Sequence, residues 1–428
     1  MREAAFTMIR MARRRGATVI ICGADATDHA DEYLRQGADF VLQGEGEYTL
    51  LEVVDRLLGR TTRPYEQIAG LVFVAKEAAR PTFTPRRADI RELDALPFPA
   101  WDLVEVERYR QIWRRRHGYF SVNMVTTRGC PYHCSWCAKP IWGQRYNSRS
   151  PENVAGEMRW LKETCRPDHI GFADDIFGLK PGWLEQFAAC VARLDCRIPF
   201  KSLSRVDLLQ RPGEMEMLKR AGCQTVWVGA ESGSQKILDA MEKGTRVEQI
   251  YETARRLHET GIQFGFFLQF GYPGETLEDI EKTFQMVRDC RPDDIGVSVS
   301  YPLPGTKFYA AVRQQLGLKQ NWEDSNDLAM LYHGPCSTAF YRQLHRVLHR
   351  EYRARKYWRD LRNLLRQPAG ARPRHLRRTA ALAYSAVILP IERRKLRRLQ
   401  AAPHQGLPAL GPALTSGEAA VPSPQGEA

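Results

Sequence analysis

The sequence lacks a long hydrophobic run. The first apolar stretch, residues 17–22, is too short and too strand-like for a secretory signal, and the run at 380–391 is too short to span a bilayer. With 43% hydrophobic and 26% charged residues, the 428-residue chain is predicted to be globular, with room for two domains and a tail. Ten cysteines without a secretory signal predict the cytoplasm, where thiols stay reduced and free for metal.

The cysteines also lack a second Cys-x2-Cys pair. Cys130, Cys134 and Cys137 lie within eight residues, whereas the other seven are scattered and are interpreted as small core residues. Thiolates select iron–sulfur clusters, zinc or copper(I). Structural zinc usually takes four ligands in two close pairs. We therefore favour a 4Fe–4S cluster with one iron open to a small molecule, over zinc or unligated thiols. Trp136, just before the third cysteine, would shield this site from water.

The body of the chain lacks net charge, although the whole chain carries +13. Residues 341–400 hold 18 Lys or Arg against three acidic residues, so the positive charge of the chain is concentrated in this C-terminal extension. An amphipathic helix over 341–366 and an Arg-flanked apolar helix over 380–391 are compatible with peripheral contact with an anionic membrane. The alternatives are a docking helix with a solvated basic face and adventitious RNA binding, and no specific nucleic-acid partner is expected. Residues 401–428, rich in Pro, Ala and Gly, are predicted to be a disordered tail.

Strands alternate with helices from the start of the chain, which predicts βαβ units and a parallel sheet. We interpret residues 1–60 as a partial Rossmann-like lobe, and residues 61–105 as a hairpin and a proline-containing linker. Two strands of the lobe end in glycine turns, at Gly23 and Gly44. Such turns at the carboxyl ends of parallel strands let the backbone approach a cofactor. The alternative is that these turns only connect strands.

Residues 106–335 repeat the alternation and carry the cysteines in the loop after their first strand. Parallel strands with intervening helices predict an open, partial (βα)6 barrel whose chemistry lies at the carboxyl ends of the strands. One of the helices is predicted over 151–164, with Ser150 as its N-cap. The six strands are predicted around residues 121–126, 169–173, 198–203, 225–229, 263–268 and 295–299.

Cys-x3-Cys-x2-Cys with an aromatic residue before the third cysteine resembles the radical SAM enzymes, which bind S-adenosylmethionine (SAM) at the open iron. The Pro-Gly turns at 271–276 and 301–306 resemble the ends of that family's fifth and sixth strands. Residues 172–177 resemble the region after the second strand in the cobalamin-dependent class. The resemblance implies an α/β fold, with a partial radical SAM barrel between a partial Rossmann-like cobalamin-binding lobe and a basic helical extension over 336–400.

The lobe resembles the last two strands of a cobalamin-binding domain. A complete doubly wound domain would need roughly three more βα units ahead of residue 1, and no Asp-x-His-x-x-Gly cobalt-ligand motif is present. Half an open sheet leaves an unpaired edge and an uncovered face. We therefore expect that the chain lacks its original N-terminus, with a reduced lobe as the alternative. Whether the chain is truncated or its lobe is reduced, binding of cobalamin at the turns of Gly23 and Gly44 stays an open expectation.

The resemblance also implies roles for the strand ends. Asp174 and Asp175 would orient the amine or ribose of the ligand, or else cap a helix. Arg205 would pair with the SAM carboxylate through a bidentate fork, or else form a surface ion pair. Glu231 would accept hydrogen bonds from both ribose hydroxyls, which we favour over a solvated turn.

Cys130, Cys134 and Cys137 would hold the cluster, and its reduction would cleave SAM into methionine and a 5′-deoxyadenosyl radical that abstracts hydrogen from the substrate. With cobalamin, the implied outcome is methyl transfer to an unactivated carbon. The alternatives are radical oxidative cyclisation of a tetrapyrrole-like substrate, as in the anaerobic magnesium-protoporphyrin monomethyl ester cyclase, and a non-catalytic iron–sulfur protein that binds SAM. An electron donor such as flavodoxin or ferredoxin is implied as a partner. The substrate would be a small or lipid-like molecule.

Overall fold

The computed structural model describes residues 2–75, 78, 80–139, 141–316, 328, 330–366 and 373–401. Its N-terminal part contains a four-stranded sheet in the order β1-β2-β3-β4. β1 and β2 are parallel, as predicted, and β3 pairs antiparallel with β2, so the predicted hairpin continues the sheet of the lobe. In chain order the elements are α1 (Arg2–Arg14), β1 (Ile20–Cys22), α2 (Ala24–Asp28), α3 (Ala30–Arg35), β2 (Phe40–Leu42), α4 (Glu47–Leu57), β3 (Leu71–Phe73) and β4 (Thr82–Phe83).

The central part is a curled sheet of six parallel strands, in the order β12-β11-β10-β9-β8-β5. This confirms the predicted half-barrel and its six strands. The elements are α5 (Val106–His117), β5 (Ser121–Met124), β6 (Thr127–Arg128), β7 (Asn147–Ser148), α6 (Pro151–Thr164), β8 (His169–Phe172), α7 (Trp183–Arg193), β9 (Phe200–Ser204), α8 (Val206–Leu209), α9 (Glu214–Ala221), β10 (Cys223–Glu231), α10 (Gln235–Ala240), α11 (Val247–Thr260), β11 (Gln263–Phe270), α12 (Leu277–Cys290), β12 (Asp294–Val299) and α13 (Lys307–Val312).

Side-chain alternation along the strands separates the two faces of the half-barrel. On β10, Val226, Val228 and Ala230 point outward and are fully buried beneath the helices. Phe264 and Phe266 on β11 do the same. Burying one such side chain contributes about 1.5–3 kcal/mol, so the outer face holds the main core and the concave face is left for smaller and polar residues.

The helix boundaries follow local signals where these are strong. The Ser150 hydroxyl accepts from the Asn153 amide at 3.1 Å at the start of α6, which confirms the predicted N-cap. Thr276 and Asp279 form a reciprocal capping box at the start of α12. The sequence interpretation placed no helix after the linker, but α5 occupies that position with no buried residue.

Two long helices, α14 (Thr338–Arg366) and α15 (Pro373–Ala401), pack against each other as a hairpin. The first half of α14 belongs to the main core, because Phe340, Leu344 and Val347 are buried there. Glu351 on α14 is buried and pairs with Arg288 on α12 and Arg393 on α15. In the part of the chain that the structure describes, no helix is long and apolar enough to cross a membrane. The predicted disordered tail lies outside the described residues, apart from residue 401.

Candidate active site

The cysteine loop, residues 129–146, leaves the half-barrel after β5. Its two ends are held together by the antiparallel pair β6–β7, in which Arg128 lies opposite Asn147. Gly129 opens the loop with φ +79°, and a Cβ at this position would lie 2.2 Å from the Arg145 carbonyl oxygen. Only glycine combines that dihedral angle with that close approach, so Gly129 fixes where the loop begins.

The three thiols of the loop lie near one another. The Cys137 amide donates to the Cys134 carbonyl at 3.2 Å, which makes a tight turn. The pKa of Cys137 is raised to about 11, chiefly by burial; the Lys139 ammonium opposes this rise, and the charges of Cys134 and Cys130 add to it. Three soft thiols on one loop fit an iron–sulfur cluster, whose binding would displace their protons. As placed, no group of three or more His, Cys, Asp or Glu side chains in the described residues forms a ready metal cage.

Ser135, inside the cysteine loop, anchors the loop to the carboxyl end of the half-barrel. Its amide donates to the Met241 carbonyl at 2.9 Å, and its hydroxyl lies 2.7 Å from the Tyr272 hydroxyl. The Phe308 amide donates to the Ser135 carbonyl at 3.0 Å. Tyr272 belongs to one of the two predicted Pro-Gly turns and Phe308 follows the other. Both turns therefore lie against the cysteine loop, although no role for Ser135 is predicted from the sequence.

Asp174 and Asp175 separate in the structure. Asp174 is 1% exposed, and its carboxylate accepts from the Thr126 amide at 2.7 Å, the Thr126 hydroxyl at 2.6 Å and the Thr127 amide at 2.9 Å. Burial raises its pKa to about 6 against these donors. Asp174 caps no described helix and instead fixes the chain that enters the cysteine loop. Asp175 is exposed, and its charge acts on the thiols of Cys130 and Cys137.

Arg205 supports the cysteine loop from below. Its guanidinium lies 3.6 Å from the ring centroid of Tyr132, in a cation–π contact. It also pairs with Asp207 at 3.0 Å and donates to the Lys243 carbonyl at 2.9 Å. Arg205 is 5% exposed, so the surface ion pair weighed above does not describe it. The predicted bond to a SAM carboxylate stays a prediction.

Glu231 ends β10 with φ +58°, at a shift in the register between β10 and β11. Its Oε1 accepts from the Lys243 ammonium at 2.9 Å, and both side chains are buried. The turn is therefore not solvated. A buried acid on a strained backbone at a strand end is typical of functional sites. Lys243 was not among the predicted residues, since a lysine twelve positions away gives no local signal.

Trp136 is half-buried and packs against the main core, and its indole N–H is buried without a hydrogen-bond partner in the described residues. Its predicted role in excluding water stays a prediction.

Within the turn at 271–276 lies a further buried acid that the sequence interpretation missed. Glu275 is 5% exposed, and its Oε2 accepts from the Gly271 amide at 2.7 Å. Burial raises its pKa to about 8. The hydroxyl of Tyr332 donates to the carbonyl of the same Gly271. These bonds fix the turn that carries Tyr272 to the cysteine loop.

The glycine turns of the N-terminal part differ in their surroundings. A Cβ on Gly44 would lie 3.5 Å from the Ile141 carbonyl oxygen, just after the cysteines, whereas a Cβ on Gly23 would meet no heavy atom within 4 Å. Glu45, next to Gly44, is buried and accepts from Arg128 at 2.7 Å. The turn after β2 therefore touches the cysteine loop, and the turn after β1 is open.

The region with this geometry has known relatives. Residues 124–287 match the radical SAM superfamily. An uncharacterised methyltransferase of Pyrococcus horikoshii is 29% identical over 325 residues, which are 74% of this chain and 68% of that protein. The anaerobic magnesium-protoporphyrin IX monomethyl ester cyclase of Rubrivivax gelatinosus is 27% identical over 286 residues, which are 66% of this chain and 49% of the cyclase.

Among solved structures, the cobalamin-dependent S-adenosylmethionine radical enzyme OxsB, with aqua-cobalamin and S-adenosylmethionine bound, shares the fold. The TM-score is 0.63 at 17% identity, over 91% of this chain and 61% of that chain. This chain thus spans from about half to two thirds of the length of these relatives.

Proposed function

Because residues 124–287 make this chain a member of the radical SAM superfamily, we propose that it uses a 4Fe–4S cluster to cleave SAM reductively. The observation that carries the proposal is the cysteine loop, whose three thiols are held at the carboxyl end of a six-stranded half-barrel by Ser135. Cys130, Cys134 and Cys137 would hold the cluster. When bound, the reduced cluster supplies the electron that splits SAM into methionine and a 5′-deoxyadenosyl radical.

The residues of the chain orient SAM and keep water away. Glu231 has Oε1 on Lys243, and its Oε2 carries no bond within the described part of the chain, which leaves an acceptor for ribose hydroxyls. Arg205 keeps Tyr132 and the loop in place and has Nη1 unused among the described residues, which suits a single bond to the SAM carboxylate. Asp175 faces the thiols and suits the amine of SAM. Trp136 limits access of water.

The reaction that we propose is cobalamin-dependent methylation of an unactivated carbon. The relative from Pyrococcus horikoshii bears the name methyltransferase, and OxsB was solved with cobalamin. In this chain, the open turn at Gly23 would meet the corrin, and the turn at Gly44 lies directly against the cysteine loop. The N-terminal part would therefore present the cofactor towards the place where the radical forms.

The test is anaerobic reconstitution with iron and sulfide, followed by reduction with SAM, with and without hydroxocobalamin. We expect 5′-deoxyadenosine from the wild-type protein. We expect S-adenosylhomocysteine as well once hydroxocobalamin is added, because the reductant converts it to cob(I)alamin, which accepts the methyl group of SAM. Cys134→Ala should lose the cluster and both products. Cys165→Ala, at the end of α6 and away from the loop, is the matched control and should keep both. A colourless, zinc-containing protein without 5′-deoxyadenosine would overturn the proposal.

Oxidative cyclisation is the second candidate, and the cyclase of Rubrivivax gelatinosus favours it. The same assay separates the two. Cyclisation predicts 5′-deoxyadenosine without S-adenosylhomocysteine, whereas binding of SAM without either product would indicate a non-catalytic iron–sulfur protein. Flavodoxin or ferredoxin is the electron donor that we propose for either reaction.

We also propose that the C-terminal hairpin rests on an anionic membrane. α15 carries an exposed apolar stripe of Tyr384, Val387 and Ile391, at the spacing of one helix face. The exposed Arg377 and Arg394 flank it on the same face. An apolar stripe between arginines is suited to the boundary of headgroups and acyl chains, and a membrane would supply a lipid-like substrate.

A further inference from the structure

Three glycines line the concave face of the half-barrel. Gly171, Gly265 and Gly296 point inward on β8, β11 and β12, by the alternation that turns their neighbours outward. A Cβ on Gly265 would lie 2.7 Å from the ring of Trp227, and a Cβ on Gly296 would lie 3.2 Å from Phe267. Because glycine has no side chain, the larger inward-facing residues of the neighbouring strands can lie flat against the sheet at these positions.

Trp227 and Phe267 form one aromatic surface on this concave face. Their ring centroids are 4.7 Å apart, with an interplanar angle of 28°. Phe267 is 40% exposed and Trp227 is half-buried, whereas the outward phenylalanines of β11 are fully buried. Exposure of apolar rings to water is unfavourable in free energy. This pair is therefore suited to stack against a flat apolar ligand.

A cation lies beside the aromatic pair. Lys201 on β9 points inward, and a Cβ on Gly171 would lie 3.1 Å from its Cε and 2.8 Å from the side-chain oxygen of Asn123. Both side chains are exposed, and Lys201 has no ion-pair partner among the described residues. Lys201 pairs in register with Thr225, two residues before Trp227, which places the lysine within roughly 8 Å of the aromatic surface.

Neighbouring groups leave this charge uncompensated. Burial, followed by the Lys201 ammonium, lowers the pKa of the nearby His169 to about 4, so this histidine is neutral near pH 7. Of the inward acids, Glu231 is committed to Lys243, and Asp294 lies on β12, three strands away from Lys201. The Lys201 ammonium therefore faces the concavity without a paired acid among the described residues.

We propose that this concave surface, which we call the trough, binds the substrate, and that the substrate is a flat conjugated molecule carrying an acidic group. The flat face stacks on Trp227 and Phe267, and the acid pairs with Lys201. The inference rests on the proposed function, in which Glu231 binds the ribose of SAM. Trp227 lies about 13 Å from Glu231 along β10, towards the amino end of the strand. The trough consists of Asn123, Lys201, Trp227, Gly265, Phe267 and Gly296.

The test is binding to the full chain, measured by calorimetry with three probes. Pyrene-1-carboxylate has the flat face and the acid, 1-pyrenemethylammonium has the same face with the opposite charge, and adamantane-1-carboxylate has the acid without the face. We expect pyrene-1-carboxylate to bind at least tenfold more tightly than either of the others. Equal affinities for the three probes would overturn the inference.

Variants locate the binding. Lys201→Gln should weaken pyrene-1-carboxylate about tenfold and leave 1-pyrenemethylammonium unchanged or tighter. Phe267→Leu and Trp227→Leu should weaken both pyrene probes, and Phe267→Leu keeps the test open if the tryptophan variant misfolds. Lys180→Gln and Trp358→Leu alter an exposed lysine and an exposed tryptophan elsewhere and should bind as the wild type does. Wild-type affinity in Lys201→Gln would place the probe outside the trough and refute the inference.

The outcome is separable from that of the proposed function. If the wild type cleaves SAM but shows no preference among the probes, the trough inference fails alone. If the preference is present and no SAM is cleaved, the proposed function fails and the ligand class of the trough stands.

Discussion

At the scale of the residue, the cysteine loop depends on positions where only one side chain is compatible with the fold. Gly129 combines a left-handed φ with a carbonyl oxygen at 2.2 Å from the place of a Cβ. The sequence shows a glycine before the first cysteine but not this contact, because Arg145 reaches it only through the pairing of β6 with β7.

Gly129→Ala should therefore destabilise the protein by about 3 kcal/mol and reduce its iron content after reconstitution. Urea unfolding and iron analysis are the measurements. Gly118→Ala is the matched control, since Gly118 has φ +84° and open space around its Cα. It should cost about 1 kcal/mol and keep the iron. Equal losses in the two variants would show that the Arg145 contact has no consequence.

Glu275 makes stability depend on pH. Its pKa of about 8 in the folded protein exceeds the ordinary 4.5, so between these values the folded state keeps a proton that the unfolded state has lost. Stability should therefore fall as pH rises from about 5 towards 8, by up to about 1.4 kcal/mol per pH unit.

Glu275→Gln cannot ionise, and it should remove this part of the slope. The measurement is the free energy of unfolding in urea at several pH values for both proteins. The variant should gain on the wild type as pH rises. Parallel curves would contradict the assignment.

At the scale of the element, the turn after β2 is tied to β6 by a buried ion pair. The side chain of Glu45 is 3% exposed and that of Arg128 is 17% exposed, and Arg128 lies two residues before Cys130. Arg128 also pairs with Glu47. These bonds couple the position of the N-terminal part to the entrance of the cysteine loop.

Glu45→Gln should destabilise the protein by about 3 kcal/mol, because the Arg128 guanidinium loses its buried partner and keeps only the exposed Glu47. The double variant Glu45→Met with Arg128→Met should recover part of the loss, which a double-mutant cycle from urea unfolding would measure. Glu252→Gln, which breaks an exposed pair with Arg255 on α11, is the control and should cost less than about 1 kcal/mol. A loss of that small size at Glu45 would argue against coupling between the two parts.

At the scale of the whole molecule, much of the fold could be predicted from the sequence. The six parallel strands follow from local alternation, which a single chain displays. The helix α5, which has no buried residue, was not predicted from the sequence. The hydrogen-bond partners of Asp174 and Arg205 could not be predicted from the sequence, because these bonds join residues about 40 positions apart in the chain. Lys243 and Lys201 became visible only once the strands were in register.

The C-terminal hairpin gives a prediction at the scale of the whole molecule. Replacing Arg377, Arg394 and Arg398 by Gln should weaken binding to vesicles that contain phosphatidylserine by roughly a hundredfold, at about 1 kcal/mol for each charge. Co-sedimentation is the measurement, with neutral phosphatidylcholine vesicles for comparison. Arg255→Gln on α11 is the control. If the triple variant sediments as the wild type does, the hairpin does not bind the membrane. Truncation at residue 340 is unsuitable as a test, because it removes Leu344 and Val347 from the core.

Ser135 has a consequence for the order in which the molecule is built. Its bonds reach Met241, Tyr272 and Phe308, so the cysteine loop is held by chain that is synthesised long after the cysteines themselves. Contacts this distant in sequence form late in folding. The nascent chain therefore carries three unanchored thiols until at least residue 308 has left the ribosome, and metal taken up before then would bind a loop without its native shape. We therefore expect iron to meet the loop in its native shape only after the half-barrel has been synthesised.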